Sequence, residues 1–262
     1  MEGHGLYRRR RLPHWDLPGA TYFVTACLAG SIPARGLLDL QRYRSVLAKP
    51  ARAGQPQSDG SELRRWKKTF ARADWWLDRH PSVRHFADRA LAEIVVNACL
   101  YWAARRYDLL AYVVMPSHLH WVFRPLAGAD VGQVADMGQE DVGQVANLPK
   151  PGLGPIQPGQ VSNLPHDTTR SARVRIMHTL KLRTARQCNR LLGRSGVFWQ
   201  DESYDHCVRN DDELERIIQY VEYNPVKAGL AATPEQWQFS SAPHRAASGL
   251  LFGQPLPASI QQ

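Results

Sequence analysis

A chain of 262 residues with 44% hydrophobic side chains is long enough to bury a sizeable core, as one large domain or two small ones. It contains no run of about 18 apolar residues, which excludes a membrane-spanning helix. The formal charge of +9 and pI near 9.6 favour an anionic partner, nucleic acid first, although ribosome or anionic membrane contacts suit the same balance. The four cysteines, Cys27, Cys99, Cys188 and Cys207, have no close pairing. They exclude a Cys-x-x-Cys zinc knuckle and read as buried thiols of a reducing compartment.

Tyr7 to Pro18 is basic and aromatic, YRRRRLPHWDLP. No apolar stretch follows Arg8–Arg11, so the segment does not read as a secretory signal. It is either a solvated arm or one that places Arg8, Arg9 and Arg10 on phosphates, with His14 or Trp15 free to stack. Tyr22–Leu28 is a strand pattern, Leu37–Leu47 is helix-like and Pro50–Ser61 reads as a loop. Glu62–Asp78 interleaves Arg64, Arg65, Lys67 and Lys68 with Trp66, Phe70, Trp75 and Trp76. This predicts a basic helix face whose tryptophans pack instead of stacking on bases. Pro81–Arg106 is the clearest helix, with Leu91, Ile94, Val95, Ala98 and Trp102 on one apolar face.

Two short β-branched and aromatic runs follow, Leu109–Met115 and Leu119–Phe123, joined at Pro116-Ser117. Both read as strands. Alternation along a strand projects His118 and His120 together and sends Leu119 the other way, into a core. Two imidazoles on a rigid strand can hold a metal, although the same spacing also suits ordinary surface histidines. Beyond them, VGQVADM, VGQVANLP and GQVSNLP are near-copies separated by Gly, Pro and Gln. They mark residues 127–170 as a flexible insertion within one domain.

Ser171–Leu192 returns to helix. Arg183, Arg186, Arg190 and Arg194 lie three and four apart on one stripe. The stripe is a solvated face or, the reading favoured in so basic a chain, a set of phosphate contacts. Asn210 is an N-cap, with Asp211, Asp212 and Glu213 in the first turn. The helix it opens is expected to end near Tyr223, because Pro225 disfavours helical geometry at Asn224. Leu214, Ile217, Ile218 and Val221 form its buried stripe. Tyr220 and Asn224, at i and i+4, share a face beside that stripe, and Tyr223 points to solvent. On geometry alone, a tyrosine in this place is ordinarily packing.

Three motifs in order change that weighting. VVMPSHLHWVF is a His-hydrophobe-His motif after an MP turn. Phe198-Trp199-Gln200, Tyr204-Asp205 and Arg209 form a second motif, and Y-x-x-x-NPVK-x-G from Tyr220 is the third. Together they resemble the REP-associated tyrosine transposases, single-tyrosine HUH transposases of the insertion-sequence-200-like superfamily. The basic HW stretch near the start and EQWQFSS at Glu235–Ser241 resemble that family too. Ser117 stands where the family usually has Asn; as Ser is also a turn residue, the change is expected to leave the two histidines untouched.

The resemblance implies an α+β domain, an antiparallel sheet with packed helices in a ferredoxin-like or RRM-like arrangement, over residues 1–245, with 246–262 as a tail. It implies Tyr220 as the nucleophile and His118, His120 and Asn224 as ligands of a divalent metal, Mg2+ or Mn2+. Zinc usually takes four protein ligands, and the sequence offers no fourth. The implied reaction nicks and rejoins single-stranded DNA beside hairpins through a 5′-phosphotyrosine. Arg8, Arg9, Arg10, Arg183, Arg186, Arg190 and Arg209 are the candidate DNA contacts. The expected location is cytoplasmic and nucleoid-associated, without membrane contact, and monomer and homodimer stay open. Two rivals remain: a non-catalytic nucleic-acid-binding protein on the same fold, and a metal-dependent nuclease that uses water.

Overall fold

The computed structural model of the chain describes residues 6–9, 13–17, 19–47, 59–127, 171–201 and 203–257. Strands β1 (Leu6–Arg9) and β2 (Pro13–Asp16) pair with each other as a two-stranded sheet. The side chains of Arg8 and Arg9, all of Arg10, and the expected insertion from residue 128 to 170 lie outside the described residues.

The main sheet is antiparallel, in the order β4-β5-β3-β6. Its strands are β3 (Tyr22–Cys27), β4 (Tyr107–Met115), β5 (His118–Pro125) and β6 (Tyr204–Cys207). Helices α1 (Ala34–Leu47), α2 (Asp59–Arg79) and α3 (Arg89–Trp102) lie between β3 and β4, and α4 (Ala172–Leu191) between β5 and β6. Helices α5 (Asp211–Lys227) and α6 (Ala242–Ser248) follow. The class is therefore α+β as expected. The first strand of this sheet sits between the third and fourth, the ferredoxin-like order.

Strand alternation gives the sheet two unlike faces. Tyr22, Val24, Ala26, Leu119, Trp121 and Phe123 share one core with Leu91, Val95 and Cys99 of α3 and Ile176, Leu180 and Cys188 of α4. Phe23, Val113, Met115 and Val122 face the other way, onto Leu214, Ile218 and Val221 of α5. On that second side Leu40 of α1 and Ala73 and Leu77 of α2 pack with Cys27 and Tyr204. Helix α2 is seated on α1 by close contact. A Cβ at Gly36 would lie 2.9 Å from both Ile32 and the Trp76 ring. Trp76 Nε1 donates to Asp39 at 2.9 Å, and Arg72 grips the same carboxylate with two nitrogens.

Several boundaries differ from the sequence reading. The helix expected from Pro81 starts at Arg89, because the Asp88 carboxylate caps it by accepting from Ala90 N at 2.8 Å. Helix α5 continues through Pro225 to Lys227. Proline there forfeits one backbone hydrogen bond in the last turn, but its ring is buried and its carbonyl accepts from Leu230 N at 2.8 Å. Residues 246–257 of the expected tail pack on the domain. Leu256 is buried in the larger core, its N–H bonded to Leu109 O at 2.8 Å.

The EQWQFSS segment closes the outer edge of β4. Val114 N donates to Phe239 O at 2.8 Å, Ser241 N to Tyr112 O at 2.9 Å, and Trp237 Nε1 to Val114 O at 3.1 Å. An edge that would otherwise offer open backbone groups is thereby covered.

Candidate active site

The two-residue link Pro116-Ser117 is held by three neighbours. Pro116 O accepts from Phe86 N and Ser117 O from Leu28 N, each at 3.0 Å. The Ser117 hydroxyl donates to Leu77 O at 3.0 Å. This fixes the start of β5, where His118 and His120 lie fully buried on one face, opposite Cys27 and Thr25 of β3. Their Nε2 atoms are 3.2 Å apart.

Each ring is oriented through its other nitrogen. Ser117 Oγ is 2.9 Å from His118 Nδ1, and Thr25 Oγ1 is 2.7 Å from His120 Nδ1. A hydroxyl has one proton, and Ser117 places it on Leu77 O. Ser117 Oγ therefore accepts from Nδ1–H of His118, which leaves the Nε2 lone pair facing His120. Ser117 thus touches His118 directly, correcting the expectation that it leaves the histidines untouched. Burial, and then His120 beside it, push the His118 imidazole down to about 3. It stays neutral near pH 7, the form that ligates metals.

Helix α2 brings two carboxylates to the same point. Asp74 Oδ1 is 3.2 Å from His120 Nε2, and Asp78 Oδ1 is 3.7 Å from His118 Nε2. Both carboxylates are only 2% exposed. Asp78 Oδ1 and Asn224 Oδ1 are buried without a hydrogen-bond partner. Burial raises the Asp78 carboxyl, and the negative charge of Asp74 adds to it, bringing it to about 6. Burial acts the same way on Asp74, but His120, His118 and Lys227 outweigh it and hold that carboxyl well below the usual range.

Helix α5 supplies the third side. Its passage through Pro225 places Tyr220, Asn224 and Lys227 at i, i+4 and i+7, on one face. The Tyr220 hydroxyl donates to Asp74 Oδ2 in a short hydrogen bond. Asn224 Nδ2 is 3.1 Å from His120 Nε2. Lys227 Nζ reaches Asp74 Oδ2 at 3.3 Å and Asp78 Oδ2 at 3.1 Å, and lies 5.3 Å from the centre of the Tyr220 ring. Burial, and then Asp74, raise the phenol well above its ordinary value. Tyr223, three residues on, is 55% exposed and points away.

Ligand atoms of Asp74, His118 and His120 lie within 4.8 Å of one another. The Asn224 amide adjoins them, its Nδ2 3.1 Å from His120 Nε2, and turning that amide over would add its oxygen to the two imidazole nitrogens and the carboxylate oxygen. The orphaned oxygens are costly to bury unless a cation satisfies them, so the residues fit a divalent ion. The fourth donor that the sequence did not offer comes from α2.

The structure gathers Tyr220, His118, His120 and Asn224, and leaves Arg183, Arg186, Arg190 and Arg209 elsewhere, while the Arg8–Arg10 side chains lie outside the described residues. Helix α4 packs on the opposite face of the sheet. There Arg186 and Arg190 are exposed, and Arg183 lies over the Tyr101 ring at 5.2 Å. Arg209 is bound to Glu213 through Nε at 3.0 Å and Nη2 at 2.8 Å. Sequence reasoning missed Asp74, Asp78, Thr25 and Lys227. For Asp74 a signal existed: it falls between Ala73 and Leu77 on the buried stripe of α2, where an acid is out of place unless paired or ligating.

No family model matches the chain. A curated protein of Haemophilus influenzae, provisionally named a REP-associated tyrosine transposase, is 36% identical over 53 residues, 20% of this chain and 30% of that protein. The resemblance to these transposases thus extends to a curated relative, of which the chain spans about a third. A solved structure of a REP-associated tyrosine transposase bound to a REP hairpin aligns with 94% of this chain and 87% of its own length. Its identity is 16% and its TM-score 0.42.

Proposed function

We propose that this chain is a transposase-type endonuclease that nicks and rejoins single-stranded DNA beside a hairpin through a covalent 5′-phosphotyrosine, with Tyr220 as nucleophile. One observation carries the reading: the Tyr220 hydroxyl, two imidazole Nε2 atoms, the Asp74 carboxylate and the Asn224 amide converge in one buried cluster. A packing tyrosine needs no such company.

His118, His120, Asp74 and Asn224 would hold the metal; imidazole with oxygen donors suits Mn2+ and tolerates Mg2+. A divalent ion there polarises the phosphodiester and stabilises the charge added during attack. The chain's own residues do the rest. Asp74 Oδ2 fixes the Tyr220 hydroxyl and accepts its proton as the phenolic oxygen bonds to phosphorus. The bond from phosphorus to the 3′ oxygen breaks, and that oxygen leaves with the electron pair and takes a proton from water. Lys227 offers its ammonium to the phosphate oxygens on the solvent side. Rejoining is the same exchange in reverse with a new 3′ hydroxyl, and because the phosphotyrosine conserves the bond energy, it needs no nucleotide cofactor. Tyr220 already donating to a buried carboxylate favours tyrosine over water as nucleophile.

The test is incubation with single-stranded hairpin DNA and Mn2+, followed by a denaturing gel. A protein–DNA adduct is expected with the wild-type chain and none with Tyr220→Phe. Cleavage without an adduct, persisting in Tyr220→Phe, would replace this reading with the water-using nuclease. Hairpin binding without cleavage would leave the non-catalytic reading.

A further inference from the structure

The face of α2 that carries Asp74 also carries Lys67, Phe70 and Ala71, one and two turns earlier. Opposite them, α5 presents Ile217 and Tyr220, and Phe23 of β3 forms the floor. Together these enclose a cavity of about 260 Å3 that opens beside the Tyr220 ring. The site chemistry described above uses only the Asp74 end of it.

We propose that this cavity receives the unstacked base of a nucleotide flanking the scissile phosphate. The inference rests on the transposase reading and adds what the protein reads at the cut. Its walls have the chemistry of a base's two faces. The Phe70 ring stands edge-on to Phe23 at 5.5 Å and lies 6.5 Å from the Tyr220 ring, so an aromatic corner faces the opening. Ile217 adds an aliphatic surface. A cation stands at each end: the Lys67 and Lys227 side chains are 47% and 45% exposed. Asp74 lies seven residues beyond Lys67 on α2, roughly 10 Å along the helix. Glu213, the acid at the far end, is already bound by Lys67, Arg209 and His206, so it does not oppose a phosphate unscreened.

A base held in a duplex cannot enter such a cavity without leaving its stack, which is costly when it is paired and cheap when it is already single-stranded. The cavity therefore supplies a physical reason for a single-stranded substrate at the cut, independent of the metal.

The experiment measures binding of the full chain to hairpin DNA by fluorescence anisotropy in EDTA, so that nothing is cut. Three substrates are compared: intact, abasic on the 5′ side of the scissile phosphate, and abasic on the 3′ side. One abasic substrate should bind about tenfold more weakly than intact DNA, within the range of base–aromatic stacking. Ala71 is exposed at the rim, so Ala71→Trp can fill the cavity without touching the core. It should weaken intact DNA by the same factor and the sensitive abasic substrate no further. If both abasic substrates bind within about twofold of intact DNA, or if Ala71→Trp weakens abasic and intact DNA equally, the cavity does not hold a base. The adduct assay with Mn2+ runs in parallel on wild-type protein. An adduct without an abasic effect sinks the cavity alone, whereas no adduct on any hairpin sinks the transposase reading itself.

Discussion

Leu119 and Trp121 point to one face of the sheet, and His118 and His120, their immediate neighbours in sequence, to the other. On the first face Trp121 stacks on Phe123 with ring centres 4.1 Å apart, sealed under α3 and α4 among largely apolar partners, although its Nε1 is buried without a hydrogen-bond partner. On the second, at the same depth, the same strand meets Thr25, Asp74, Asp78, Tyr220 and Asn224, and several buried oxygens there have no hydrogen-bond partner. The first face gains stability from the apolar area it buries. The second carries a desolvation cost that a bare protein does not recover. One strand thus holds a rigid platform on one side, and that rigidity fixes reactive groups on the other.

The largest effect should come from opening the apolar face. Trp121→Ala is expected to cost about 3–5 kcal/mol, read as a shift in the urea midpoint, and to lose the adduct along with the fold. A fully active, equally stable variant would mean that the apolar face does not organise the site.

On the polar face the outcome should invert, with chemistry lost and fold kept. Tyr220→Phe should give no adduct while retaining the wild-type melting profile and hairpin affinity. Tyr223→Phe, at an exposed position, should retain most activity. Replacing His118 or His120 by Ala should likewise remove cleavage and leave hairpin binding largely intact. Reversed phenotypes for the two tyrosines would show that α5 presents its other face.

A smaller loss separates ligands from the groups that aim them. Ser117→Ala and Thr25→Val remove the partners of the two Nδ1 atoms without removing a ligand. Mn2+ affinity, titrated on the whole protein, should fall by roughly 10–100-fold in each, the usual range for such supporting groups. Unchanged affinity would mean that packing alone sets the ring orientations.

The smallest effect belongs to α4, on the far side of the apolar face. If Arg183, Arg186 and Arg190 contact phosphates, neutralising each should lower the single-strand salt slope by roughly 0.7. A constant slope would return the stripe to a solvated helix face.

The sequence disclosed what depends on short-range periodicity. The shared face of His118 and His120 follows from a period of two, and that of Tyr220 and Asn224 from i, i+4, so both pairs could be placed before the fold was known. Asp74 showed only as an acid on a buried stripe, and neither it nor Asp78 could be placed beside the histidines, because only tertiary packing swings their helix over β5. Lys227 was hidden behind a local rule: proline ends helices, and here buried packing around Pro225 overrode it. Leu256 was hidden for a related reason, since a short segment broken by Gly and Pro gives no periodic sign that one leucine reaches the core.

The Tyr220–Asp74 hydrogen bond has a kinetic consequence. It joins α5 to α2 of the same chain, and α5 packs back on its own sheet through Leu214, Ile218 and Val221, so on the proposed reading Tyr220 acts with the histidines of its own chain. Adduct formation per molecule should then be independent of protein concentration. A mixture of His118→Ala and Tyr220→Phe chains, each lacking what the other has, should remain as inactive as either alone.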